Sequence, residues 1–152
     1  MISKPKAAAA GWAMRMTLQR DFAQVRFVSG RVKRFLREHG CGDDTRADFE
    51  LALVEACNNA IKHTSCAARE PVIIELCVRR SEIELRVIDH GHGFAWPATI
   101  ELPSPEDENG RGLYLIRRVM DSVQYERGNG RNALVLKRKR GGARPREPGS
   151  AS

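Results

Sequence analysis

The sequence predicts an α+β fold, a two-layer sandwich in which helices cover one face of a mixed β-sheet. Three observations predict it. The period of the apolar residues changes along the chain from two to about 3.6 and back. The resulting order is one strand, two helices, two strands, a long loop, one helix and two strands. Helices grouped between runs of strands favour segregated layers over an alternating parallel sheet. The 152 residues are 41% hydrophobic and 30% charged, a balance that excludes a wholly disordered chain, a collagen and a membrane protein. No apolar run approaches the ~18 residues of a spanning helix. The length fits one domain with a core large enough to need neither disulfides nor a structural metal.

The elements follow in order. Trp12, Met14, Met16 and Leu18 alternate as on a half-buried strand. From Asp21 the period lengthens: Phe22, Val25, Val28, Val32, Phe35 and Leu36 make an amphipathic helix facing a core, ending near His39-Gly40, where glycine takes the left-handed position. Asp43 and Asp44 offer N-caps for a longer helix to about Thr64. Pro71 opens the strand Val72–Val78, and Ser81 turns it into Ile83–Ile88. Phe94 to Asn109 has no period and carries three prolines, and loops this long inside compact domains are usually functional. Leu113, Ile116, Val119 and Met120 mark a short helix opened by Gly110-Arg111-Gly112. Strands around Val123–Tyr125 and Ala133–Leu136 close the pattern through the turn Gly128-Asn129-Gly130.

The formal charge of +7 is unevenly spread. Residues 137–152 hold six basic side chains against Glu147, while the rest of the chain holds 20 basic and 18 acidic ones. A Gly-, Pro- and Ser-containing basic end reads as a solvated tail and not as a surface for direct nucleic-acid binding. The expected organisation is a flexible segment over 1–10, a folded domain over 11–139 and a basic tail over 140–152. The first ten residues lack the apolar core of a secretory signal. Cys41, Cys57, Cys66 and Cys77 form no CxxC pair and no zinc spacing with the four histidines. Cys57 and Cys77 read as small buried hydrophobes, and unpaired thiols fit a reducing, cytoplasmic setting.

Three clusters carry candidate chemistry. Glu55 and Asn59 stand four apart on the second helix, so their side chains share a face beside the apolar positions Phe49, Leu53, Ala56 and Ala60. A carboxylate and a carboxamide at the edge of a packing surface can accept a proton and ligate a hard cation; the alternative is an ordinary solvated helix face. Asp89-His90-Gly91-His92-Gly93 follows a strand, giving one buried acceptor for an exocyclic amine such as adenine N6 and two glycines that admit a ligand to the backbone. The same residues also suit a glycine-rich turn with a capping Asp, and His90 and His92 read as turn residues rather than metal ligands. Gly110-Arg111-Gly112-Leu113 opens a helix, where amide N–H groups make an anion cradle. It is not a Walker loop, because no Gly-Lys-Ser/Thr follows.

In this order the three clusters resemble the N, G1 and G2 boxes of the GHKL (Bergerat) ATP-binding fold, over about Trp12 to Lys139. Within that superfamily, Leu53 to His63 and Gly112 to Asp121 resemble the small anti-sigma factor serine kinases that act on STAS-domain anti-anti-sigma factors. The resemblance implies ATP and Mg²⁺ as cofactors, with a STAS-domain substrate, a sigma factor and a second copy of the chain as partners. It implies Glu55 as general base for a substrate serine and Asn59 as the Mg²⁺ ligand. Asp89 would hold adenine N6, Gly91 and Gly93 would shape the base pocket, and Gly110, Arg111, Gly112 and Leu113 would close over the phosphates. Asn58 and Lys62 are further contacts, Lys62 toward phosphate.

The chain departs from the family at two points. A Gly-Thr pair is usual near the last strand, and here Gly130-Arg131-Asn132-Ala133 stands instead, so Asn132 would contribute its own polar groups. The loop before the third helix is acidic, with Glu101, Glu106, Asp107 and Glu108. Two other readings compete: an ATP-binding switch that grips partners without phosphorylating them, and a detached ATPase domain of histidine-kinase type, which Asn59 to Thr64 also resembles. Gyrase-, Hsp90- and MutL-like proteins carry further domains that exceed this length.

Overall fold

The computed structural model describes residues 11–63, 70–97, 99–102, 104–105 and 110–141. Thr64, Cys66, the loop acids Glu106, Asp107 and Glu108, the segment 1–10 and the tail beyond Gly141 lie outside the described residues.

The elements are β1 (Gly11–Leu18), α1 (Phe22–Glu38), α2 (Asp43–His63), β2 (Val72–Arg79), β3 (Glu82–Asp89), α3 (Arg111–Val119), β4 (Ser122–Gly128) and β5 (Arg131–Lys139). They form the expected α+β sandwich, with the sheet order β1-β2-β3-β5-β4. The sheet is antiparallel at every pairing, not mixed. β3 and β4 do run in the same direction, as a strand–helix–strand crossover through α3 requires, but β5 inserts between them. No parallel ladder can therefore form. The return is a tight hairpin at Asn129-Gly130, both at positive φ (53° and 71°), the backbone of a two-residue type I′ turn.

Local chemistry sets each helix end. Asp21 caps α1 by accepting from the Ala23 N–H at 2.9 Å. At the other end Cys41 N–H bonds Leu36 O and Gly40 N–H bonds Arg37 O, a Schellman closure with Gly40 at φ 79°. Asp43 and Asp44 lie inside the first turn of α2 instead of capping it. There they complement the helix dipole, while Gly42 O takes the first helical bond from Arg46 N–H.

Strand alternation delivers Val72, Ile74, Leu76, Val78, Ile83, Leu85, Val87, Leu134 and Leu136 to the helical side of the sheet. On α2, Phe49, Leu53, Ala56 and Ala60 are all buried against it, so the packing face expected from the sequence is the real one. Each fully buried large side chain contributes about 1.5–3 kcal/mol. α2 lies between α1 and α3 and also contacts β2 and β3. Two apolar residues read as core are not: Phe22 is 59% exposed at the start of α1, and Trp12 is 64% exposed at the start of the edge strand. Element ends leave the packed layer even when they keep the period. Cys41, Cys57 and Cys77 are free thiols in buried positions, and burial pushes the Cys57 thiol up to about 12.

The opposite face of the sheet is finished differently. Ile73, Ile88, Ala133 and Val135 form a small apolar patch, and beside it Arg86, itself buried, reaches Glu126 at 3.1 Å and Glu75 at 3.8 Å. The basic end of the chain is also partly structural. Arg138 is buried with Asp48 of α2 as an ion pair, both side chains 2% exposed. Arg140 donates to the carbonyls of His39 and Arg79, tying the end of α1 to the β2–β3 turn.

Removing one partner of a buried pair strands a charge, which costs about 3–5 kcal/mol. Asp48→Ala is therefore expected to lower unfolding free energy by about that amount in urea titrations, and the double variant Asp48→Leu/Arg138→Met to recover most of it.

Candidate nucleotide site

The apolar face of α2 turns the next face, carrying Glu55, Asn58, Asn59 and Lys62, toward the start of α3. These four residues, with Gly110, Gly112 and Leu113, line a cavity of about 430 Å³, within the size range of small-molecule sites. Seven of the residues singled out in the sequence thus meet in one place. Arg111 does not: it sits exposed on the first turn of α3 and is no part of this wall.

The approach of α3 to α2 is close. A Cβ built on Gly112 would stand 2.6 Å from Glu55 Oε2, so glycine is what lets the helix start touch the acid. Gly110 holds the N-cap position with φ 98° and no side-chain cap. The first N–H groups of α3 consequently remain available to an anion at the dipole's positive end. Burial holds the Glu55 carboxyl above the ordinary glutamate range.

Asp89 ends β3 at 8% exposure and lies in a second, narrow cleft that shares Asn59, His63 and Phe94 with the main cavity. Its Oδ1 accepts from Gly91 N–H at 2.8 Å and from Asn132 Nδ2 at 3.0 Å. Asn132 stands directly opposite Asp89 in the β3–β5 register and also donates to Gly91 O at 2.9 Å. The departure at Asn132 therefore places an amide donor on Asp89 and Gly91. Gly93, at φ 72°, runs against Asn132 Oδ1, Arg127 Nε and Tyr125 Oη, each within 2.9 Å of where a Cβ would be. Its part is close passage of the backbone; it does not line either cavity.

Sequence reasoning missed the aromatic wall. Phe94 stacks on Tyr125 with centroids 4.5 Å apart, Trp96 stacks on Tyr125 at 5.7 Å and lies 6.2 Å from Phe94, and His63 lies 5.2 Å from Phe94. Phe94 N–H donates to Tyr125 Oη at 3.3 Å, and Arg127 holds His92 O at 2.8 Å. Phe22, Ala95 and Pro97 complete the cavity rim. The available signal was the inward register position of Tyr125 opposite Leu134 and the aromatics directly after Gly93. Nothing local marks Phe22, which folding brings from the start of α1.

Residues 18–138 match the family described as the histidine kinase-like ATPase domain. The chain belongs to that family. It is similar to serine-protein kinase RsbW of Bacillus mycoides (strain KBAB4), 29% identical over 107 residues, which cover 64% of this chain and 67% of that one. The RsbW of Bacillus thuringiensis (strain Al Hakam) matches to the same extent. Among solved structures, the RsbU and RsbW domains of Rv1364c from Mycobacterium tuberculosis superpose with a TM-score of 0.65 at 19% identity, covering 88% of this chain. This chain spans 34% of that larger one, and at such identity the likeness concerns the fold. The motif resemblance and the comparisons thus agree on an ATPase-type domain like those of serine-protein kinases.

The donor set suits a hard cation carried in with phosphates. Asn58 and Asn59 offer amide oxygens and Glu55 a carboxylate, while among the described residues no group of three or more His, Cys, Asp or Glu could hold a metal alone. Mg²⁺ is commonly bound this way, through one or two protein oxygens plus substrate phosphates.

The two glycines should respond differently. Gly93→Ala faces both a strained φ and three contacts and is expected to destabilise by about 1–3 kcal/mol in denaturant titrations. Gly112→Ala meets only the movable end of Glu55 and should leave stability within about 1 kcal/mol of the parent. Glu55 also predicts a pH signature. Because its folded value is raised, the native state binds more protons between the ordinary glutamate range and that value. Its stabilising contribution is complete below this window and is lost as pH rises through it. The melting temperature of Glu55→Gln relative to the parent is expected to climb across the same window, and a flat difference would contradict the burial effect.

Proposed function

We propose that this protein is a Mg·ATP-dependent serine-protein kinase and anti-sigma factor, which phosphorylates a STAS-domain anti-anti-sigma factor and sequesters a sigma factor when released from it. The observation that carries this reading is Glu55 lying against Gly112 at the mouth of α3, in one cavity with Asn59. A proton acceptor, a hard-cation ligand and a helix-start anion cradle are what phosphoryl transfer asks of a protein, since the reaction consists mostly of positioning and charge neutralisation. Similarity to RsbW supports a serine as acceptor.

In this mechanism Asp89 orients the base of ATP by accepting from its exocyclic amine. The free N–H groups of α3 and the Lys62 ammonium hold the phosphates. Asn59 would hold Mg²⁺, which supplies charge neutralisation on the transferring phosphoryl group when bound, with Asn58 as a further nucleotide contact. Glu55 accepts the proton of the substrate serine as its oxygen attacks phosphorus. The raised proton affinity of Glu55 favours that transfer, and the carboxyl returns the proton to solvent through the half-exposed cavity. No described helix is long and apolar enough to cross a membrane, and a cytoplasmic site of action accords with sigma-factor control. A homodimer through β1 and α1 accords with the exposed Trp12 and Phe27 and with the place of β1 at one end of the sheet order among the described residues.

Labelled ATP incubated with the protein and a STAS-domain partner should place phosphate on a serine of that partner. Glu55→Gln is expected to reduce this transfer by about 100-fold or more while leaving ATP bound, the scale of general-base loss. Asp89→Asn is expected to weaken ATP binding by about tenfold or more in calorimetry, the worth of a hydrogen bond to a charged group. Tight binding of ATP and partner without any labelled serine would instead identify a switch that acts by binding alone.

A further inference from the structure

We propose that Asn132 sets the base selectivity of the site by saturating one oxygen of Asp89, leaving a single carboxylate oxygen to read a purine. The inference rests on the nucleotide reading above and concerns a residue that acts through Asp89, a positioning residue.

The geometry is complete on the protein side. Asn132 is 4% exposed and directly opposite Asp89 in the ladder. One amide group serves two acceptors, Asp89 Oδ1 at 3.0 Å and Gly91 O at 2.9 Å. Two acceptors around one terminal atom identify that atom as the nitrogen, since a carbonyl there would face only lone pairs. Gly91 N–H brings a second donor to Oδ1 at 2.8 Å. A carboxylate oxygen has two lone-pair sites, so Oδ1 is full. Oδ2 accepts no hydrogen bond from any described residue.

A half-saturated carboxylate discriminates by donor count. Adenine offers one exocyclic amine at this edge, and one oxygen satisfies it. Guanine offers two adjacent donors, N1–H and the 2-amino group, which pair best with both oxygens of an open carboxylate. Here one of them meets a filled oxygen and goes unpaired, and an unpaired buried donor costs more than a hydrogen bond gains. Asn132 thus converts a fork that could hold guanine into a single acceptor that prefers adenine. An Asp alone would lack that bias, because its two oxygens are chemically equal.

The test uses the full chain and ATP, GTP and ITP, with Kd read by calorimetry and folding checked by circular dichroism. ITP keeps N1–H but lacks the 2-amino group. For the parent protein, ATP is expected to bind at least about 30-fold tighter than GTP, and GTP no tighter than ITP, because the 2-amino group finds no oxygen and is left unpaired. Asn132→Leu removes both donors at similar volume; GTP should then bind at least about tenfold tighter than ITP, with the ATP-to-GTP preference narrowed by a similar factor. A parent protein that already favours GTP over ITP tenfold overturns the proposal without need of any variant, as does a folded Asn132→Leu protein with an unchanged GTP-to-ITP ratio. The two readings fail separately. Absence of ATP binding by the parent removes the nucleotide site itself, whereas ATP binding that depends on Asp89 with unaltered ratios in Asn132→Leu removes only the role of Asn132.

Discussion

The rotational setting of α2 is the constraint on which the rest depends. Phe49, Leu53, Ala56 and Ala60 form one stripe buried against the sheet, and the buried Asp48–Arg138 pair pins the start of the same helix to β5. With the helix so fixed, Glu55 and Asn59 stand beside the packed stripe, facing the start of α3. A rotation of one residue, about 100°, would bury the acid or send it to solvent. The core thus acts on the chemistry by orienting it, and apolar burial supplies the energy that holds a carboxylate where water only partly reaches it.

The site itself is assembled from three elements that tolerate each other at unusually short range. Gly112 admits α3 to Glu55, and Gly93 admits the chain after β3 to Asn132, Arg127 and Tyr125. Neither contact survives a Cβ unmoved. Glycine in these two places serves proximity, and the cost is conformational entropy that the surrounding sheet and helices must offset. The strand end also explains how Asp89 is buried with Oδ1 satisfied: Gly91 and Asn132 both provide donors to that oxygen.

Much of this was legible from residue pattern. The element order, the buried face of α2, the Schellman end of α1 and the Asn129-Gly130 hairpin all follow from period and turn chemistry, because they depend on neighbours within a few residues. Ordered motifs also pointed to the family that residues 18–138 match. Pattern failed where tertiary packing decides. Phe22 keeps a helical period but belongs to the cavity rim; Arg138 reads as part of a basic tail but is half of a buried pair. Arg111 sits in a motif yet is exposed and no part of the cavity wall, because the first turn of a helix sends successive residues about 100° apart.

Sequence by itself determined the secondary elements, the class of fold and the types of side chain available to a nucleotide, since propensity, periodicity and turn residues act locally. Only the tertiary structure decided the all-antiparallel sheet, through the insertion of β5 between β3 and β4, and only it stacked Phe94 and Trp96 on Tyr125. It alone brought Asn132 opposite Asp89, 43 residues away along the chain. Such pairings depend on strand order and register, and register is a property of the whole packed sheet.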